Sequence, residues 1–255
     1  MLSNRILPVL VLSGEGVIKT KKFVNYKYLG DPINIVKIYN EKKVDELVIF
    51  DINATKLKKI NYKLIQKISR QCRMPLCYGG GVSNIDEAKK ILSLGVEKIS
   101  FSSLFFKNND GLKEIINHIG SQSVVITLDF KPTIFGRFNF YTDNGKKKLN
   151  IDTDTIINRI NEISPGEVIL NSIKNDGMKC GYDLNILKLF SKKITLPITM
   201  SGGAKNIDSF IDAFRINPSI GFAASSIFSL KGKLDAVLIQ YLSQAEREQI
   251  NKLKL

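Results

Sequence analysis

An internal duplication constrains this chain more than any other feature. The segment MPLCYGGGVSNIDEAKKIL (74–92) matches LPITMSGGAKNIDSFIDAF (196–214) at an offset of 122 residues. The same offset pairs Ser103 with Ser225, and an offset shorter by one pairs Glu46 with Glu167. A solenoid would repeat at a much shorter period, so the pattern reads as half of a closed fold copied once.

Around the duplication, short β-branched runs alternate with amphipathic stretches. Strands are expected at 5–12, 47–52, 75–79, 97–102, 123–129, 167–172, 196–200 and 219–224. Between them lie helical patterns such as INIVKIYNEKK, NYKLIQKISRQ, NIDEAKKILSLG and NIDSFIDAFRI. Eight strands alternating with helices predict an α/β fold, a (β/α)8 TIM barrel of two similar half-barrels. No Ser/Pro-rich linker or composition shift divides the 255 residues, so one domain spanning 1–255 is expected.

The formal net charge of +14 favours anionic partners. Its lysines are scattered along helical segments such as EAKKILSL and LKLFSKKI, with no basic tail and no interleaved aromatics. That distribution describes a solvated surface and argues against nucleic-acid binding. Cys72, Cys77 and Cys180 have neither CxxC spacing nor a nearby histidine, so no disulfide framework or metal site is expected, and a cytoplasmic, reducing setting fits. No segment reads as membrane-spanning, and no cofactor is expected. His118 is the single histidine and sits at a helix end, which leaves acid–base chemistry to carboxylates or lysine.

Each half carries a candidate anion grip. A strand ends in the glycine pair Gly80-Gly81 or Gly202-Gly203, followed by Asn and a helix. Glycine lets backbone N–H groups approach an anion, and a helix N-terminus adds a favourable dipole. The next strand ends in Ser102-Ser103 or Ser225-Ser226. One Gly-Gly alone would be weak evidence, since tight strand–helix turns also use it. Two copies at matched offsets suit an elongated small molecule with a phosphate at each end.

The motifs DELVIFDINA, YGGGVSNIDEA, SIKNDGMKCGYD, MSGGAKNIDSF and GFAASSIF resemble those of the cyclase subunit of imidazole glycerol phosphate synthase, in the HisA/HisF family, in order and over nearly the whole chain. The resemblance implies a (β/α)8 barrel paired with a glutaminase, whose ammonia enters the bottom of the barrel and reaches a bisphosphate at the top. It also implies that Asp176 and Gly177 join the glycine and serine pairs in binding phosphate. The family's cyclase uses two aspartates, at the ends of the first and fifth strands, as general acid and base. Asp129 fills the fifth-strand position, but the first-strand position is Val11, which can neither accept nor donate a proton. Lys19 matches the family's lysine after strand one, although TKKF departs from the usual glycine-containing segment. Ser102 replaces an asparagine.

Strand alternation places Arg5, Leu7, Val9 and Val11 on one face. The same parity gives Glu46–Val48–Phe50, Lys98–Ser100–Ser102 and Glu167–Ile169–Asn171. Arg5, Glu46, Lys98 and Glu167 are therefore expected to ring the N-terminal mouth, where they match the family's gate to its ammonia passage. Glu97 beside them is expected to aid docking. The favoured functional reading is a divergent paralogue that channels ammonia for acetamidino modification of a surface-polysaccharide sugar, with a glutaminase and a separate amidotransferase as partners. That role is implied by the resemblance. The alternative is a working cyclase whose proton transfers are rearranged around Asp129, Lys19 or Glu15. A sugar-phosphate isomerase is a third reading, but it gives the charged ring no role.

Overall fold

The structure is a computed structural model that describes residues 4–252. Eight strands form a closed parallel barrel: β1 (Ile6–Ser13), β2 (Leu47–Asp51), β3 (Leu76–Gly79), β4 (Lys98–Phe101), β5 (Val124–Pro132), β6 (Glu167–Ser172), β7 (Ile198–Ser201) and β8 (Gly221–Ala224). Each pairs with its sequence neighbours, and β8 returns to β1 through Leu7↔Ala223. Every segment expected to be a strand is one, with ends displaced by up to three residues. The strands are buried on both faces because helices cover the outside and side chains fill the inside, which explains their near-continuous apolar runs.

Helices α1 (Pro32–Glu41), α2 (Tyr62–Gln71), α3 (Ile85–Ser93), α4 (Asn109–Ile119), α5 (Thr153–Ile163), α6 (Leu184–Ser191), α7 (Ile207–Ile216) and α8 (Gln244–Lys252) alternate with the strands. Most start at an Asp or Asn whose side chain accepts an orphan backbone N–H: Asp31 from Asn34, Asn61 from Leu64, and Asp152 from Thr155. The outer core lies between these helices and strand residues such as Leu10, Ile49, Ile126 and Leu170. A separate apolar cluster of Leu7, Val9, Val48, Cys77, Val125, Ile169 and Ala223 fills the lumen, with Phe50 against it. The parity expected for β1, β2 and β6 therefore holds. No helix among the described residues is long and apolar enough to cross a membrane.

Two hairpins were not legible as alternating units. β1 runs into an antiparallel pair, Gly16–Lys21 with Val24–Gly30, through Val11↔Ile18 and Ile18↔Tyr28. β5 extends three residues past Asp129 and pairs with Phe138–Thr142. Both stand at the C-terminal end of the barrel. The turn of the first uses left-handed Lys22 (φ 54°) and Phe23 (φ 66°) in place of glycine, at about 1–2 kcal/mol per residue. The Lys22 amide donates to the Asp176 carbonyl at 2.9 Å, so the strained turn is anchored across the barrel mouth.

Candidate functional site

The C-terminal ends of the strands open into a cavity of about 800 Å³. Its walls bring together every residue expected for catalysis or phosphate binding: Val11, Lys19, Asp129, Asp176, Gly177, both glycine pairs and Ser102, Ser103, Ser225 and Ser226. Glu15 is not among them. It is exposed in the tight turn after β1, which removes the carboxylate considered as a stand-in for the missing aspartate.

Each glycine pair sits in backbone that side chains resist. Gly203 has φ +111°, and a Cβ there would meet the Gly181 carbonyl oxygen at 2.2 Å. Ser102 and Ser225 immediately precede the short helices Ser103–Lys107 and Ser226–Ser229. The hydroxyls of Ser102, Ser225 and Ser226 are buried with no partner inside the protein. Buried polar groups without partners are costly, and these three residues stand in the cavity wall, although their hydroxyl oxygens are themselves closed to solvent. The copies differ at the following helix. Asn84 caps α3 by accepting from the Glu87 amide at 2.9 Å, and Glu87 accepts from the Ser83 amide at 2.8 Å, so these donors are already used. Asn206 at α7 makes no such cap and donates to Asp208 instead.

Asp129 lies at the end of the lumen with Val11, Thr127 and Asn171. Asn171 Nδ2 donates to its Oδ1 at 2.7 Å. Desolvation pushes the Asp129 carboxyl up to about 7; the Asn171 hydrogen bond opposes this, and Asp176 adds like-charge repulsion. Such a carboxyl can hold or release a proton near neutral pH. Lys19 is buried, and its Nζ sits 2.5 Å from Asp176 Oδ1, while Thr20 Oγ1 donates to Oδ2 at 2.9 Å. Both oxygens of Asp176 are thus committed to the hairpin after β1. Gly177 lets this contact form, because a Cβ there would stand 2.4 Å from the Thr20 carbonyl.

At the opposite end, the four expected charges close into a ring. Arg5 pairs with Glu46 through Nη1 and with Glu167 through Nη2 at 2.9 Å. Lys98 Nζ lies 2.9 Å from Glu46 and 3.0 Å from Glu167. Thr199 donates a further hydrogen bond to Glu167. The carboxylates are buried and the cations partly exposed, so the positive members form the outer rim. Burial alone would raise Glu167 and lower Lys98. Their opposite-charge partners outweigh it, leaving Glu167 below and Lys98 above their ordinary values. Glu97 is exposed next to this rim. The apolar lumen cluster lies between ring and cavity, and Val9 belongs to both cluster and cavity wall.

Residues 5–235 match the family described as histidine biosynthesis protein. The chain belongs to this family. It is 43% identical over 255 residues to a Vibrio vulnificus protein provisionally named imidazole glycerol phosphate synthase subunit hisF3, covering 99% of this chain and 98% of the relative. A provisionally named subunit hisF2 from Pseudomonas aeruginosa is 38% identical, over 94% and 96% of the two chains. The subunit HisF of Alkaliphilus metalliredigens, named without qualification, is 33% identical over 89% and 91%.

Within this barrel, three cavity residues escaped the sequence reading. Asp51 ends β2 in the cavity wall, accepts from the Asn53 and Ala54 amides, and is raised by burial. Its position at a strand end in DELVIFDINA was a signal that went unused. Asn171 had the correct lumen parity but no assigned role. Lys179 lines the cavity and pairs with Asp235 at 2.8 Å, a contact between two loops that no local pattern encodes.

Proposed function

We propose that this chain is the ammonia-receiving barrel of a glutamine amidotransferase system. A glutaminase docks on its N-terminal face, and ammonia passes the charged ring and the apolar lumen to the cavity. From there it serves acetamidino modification of a surface-polysaccharide sugar, completed by a separate amidotransferase. The observation that carries the reading is the contrast between the two ends. The ring is complete, with every charge paired, whereas the cavity has Val11 where the cyclase has an aspartate. The apolar layer suits neutral ammonia, because an ammonium ion there would lose its hydration without a partner. Arg5 and Lys98, on the outer rim, are the members a docked glutaminase can reach. The greater likeness to the provisionally named HisF relatives than to the HisF named without qualification supports divergence from the cyclase.

The experiment compares glutamine-dependent with ammonium-dependent amidation in the reconstituted system. Lys98→Met leaves two buried carboxylates sharing one cation and should reduce the glutamine route at least tenfold while sparing the ammonium route. Equal loss by both routes rejects the conduit. A second reading, a working cyclase, is favoured by Asp129 near neutrality and by the two glycine and serine pairs in the cavity wall. Turnover of the family's bisphosphate substrate at the rate of an authentic cyclase would establish it in place of the first.

A further inference from the structure

The exposed large apolar side chains among the described residues all fall in connections of one kind. Among the described residues, each follows the C-terminal end of a barrel strand and precedes the next long helix. Tyr26 (74% exposed) and Tyr28 stand on the hairpin after β1, Met178 in the loop after β6, and Leu234 (90% exposed) in the loop after β8. Chance scatter would leave some on the outer helices or on the loops entering the strands. Scattered single hydrophobes need no explanation, but a confined set marks an interaction surface.

Ion pairs and a hydrogen bond join three of these loops, those after β1, β6 and β8, into one surface; Leu57, Ile134 and Phe135 lie on the connections after β2 and β5, outside it. Lys21 and Lys179 both pair with the Asp235 carboxylate at 2.8 Å, and Lys27 Nζ donates to the Asp235 carbonyl at 2.6 Å. Asp235 is held down to about 2 by hydrogen bonds from Lys179 and Lys21, so this stitch persists over the whole neutral range. Tyr28 packs its ring over Gly16, fixing the face of the hairpin. The hairpin is thereby tied to the loops after β6 and β8, beside the cavity, as an apolar platform. Its rim is basic: Lys22, Lys27, Lys231 and Lys233 are all exposed. An aromatic and aliphatic centre with a charged rim is the anatomy of a protein interface.

We propose that this platform docks the enzyme that carries the ammonia acceptor, through an acidic surface with apolar side chains at its centre. The proposal rests on the conduit reading above and adds where the ammonia leaves: directly from the cavity into a partner seated on the C-terminal face. Charge complementarity selects this occupant. A second copy of the chain would bring two lysine rims together, and like charges across an interface are costly. With Val11 leaving the cavity short of an acid–base group, a partner covering its mouth would also keep ammonia from bulk water, where it would protonate.

The test uses the full chain with its glutaminase and a purified sugar amidotransferase that accepts ammonia from them. Association is followed by analytical ultracentrifugation and lysine cross-linking. We expect a ternary complex whose cross-links fall at Lys22, Lys27 or Lys233, and which weakens as salt is raised. Tyr26→Ser with Leu234→Ser changes two solvent-facing side chains, so folding should be unaffected; it should weaken amidotransferase binding at least tenfold. Lys233→Glu should weaken it several-fold. Neither variant should alter glutaminase binding. Cross-links on the outer helices or the N-terminal face, unchanged affinity in the variants, or no ternary complex would overturn the proposal, as would self-association through this patch. Loss of the gate effect with docking intact would instead reject the conduit reading.

Discussion

Replacing Asp129 by asparagine should stabilise this protein, and only above acidic pH. In the folded chain desolvation raises the Asp129 carboxyl from 3.8 to about 7, against the single hydrogen bond from Asn171 and with added repulsion from Asp176. The folded state therefore binds more protons than the unfolded chain between about pH 4 and pH 7, and stability falls as pH rises through that window. A gap of about 3 units at about 1.4 kcal/mol each sets an upper bound of about 4 kcal/mol. The carboxyl opens onto the cavity and is not sealed in the core, so solvent screening brings the expected figure to about 2 kcal/mol. Asparagine retains an oxygen that can accept from Asn171. The difference in unfolding free energy between Asp129→Asn and the unmodified chain, from urea titrations at several pH values, should be flat below about pH 4. It should grow by about 2 kcal/mol toward pH 8 and then level off. A difference that stays constant from pH 4 to 8, or that shrinks with pH, would refute the argument that the carboxylate is held against its preference.

Three further outcomes follow from the same geometry. The unmodified chain should turn over the family's bisphosphate substrate with ammonium salts at least ~10²-fold more slowly than an authentic cyclase, as expected when one general acid–base group is missing. Val11→Asp should recover part of that rate, which a steady-state assay would show. Calorimetry with inorganic phosphate should detect binding that weakens in Ser103→Ala and in Ser225→Ala, each by about tenfold, because the two grips are separate. Gly203→Ala should destabilise the protein by about 2–4 kcal/mol in urea unfolding, since the added Cβ meets the Gly181 carbonyl at 2.2 Å in left-handed backbone.

The barrel and its charged ring were legible in the sequence because both rest on short-range regularity. Strand runs recur with helical patterns between them, and a period of two residues links Arg5 to Val11 and Glu167 to Asn171. Once eight strands close, parity alone brings Arg5, Glu46, Lys98 and Glu167 to one mouth. The duplicated Gly-Gly and Ser-Ser pairs fell in the cavity wall for the same reason. The state of each group was decided only by tertiary contacts between loops far apart in the chain, which carry no periodic signal. Asp176 reaches back to Lys19 and Thr20, and Asp235 gathers Lys21 and Lys179. Asn171 meets Asp129 because β5 and β6 pair in that register. Glu15, close to Val11 in sequence, points away because the turn after β1 reverses the chain there. Sequence distance predicted nearness where a tight turn enforced separation, and the closed barrel supplied nearness where sequence distance hid it.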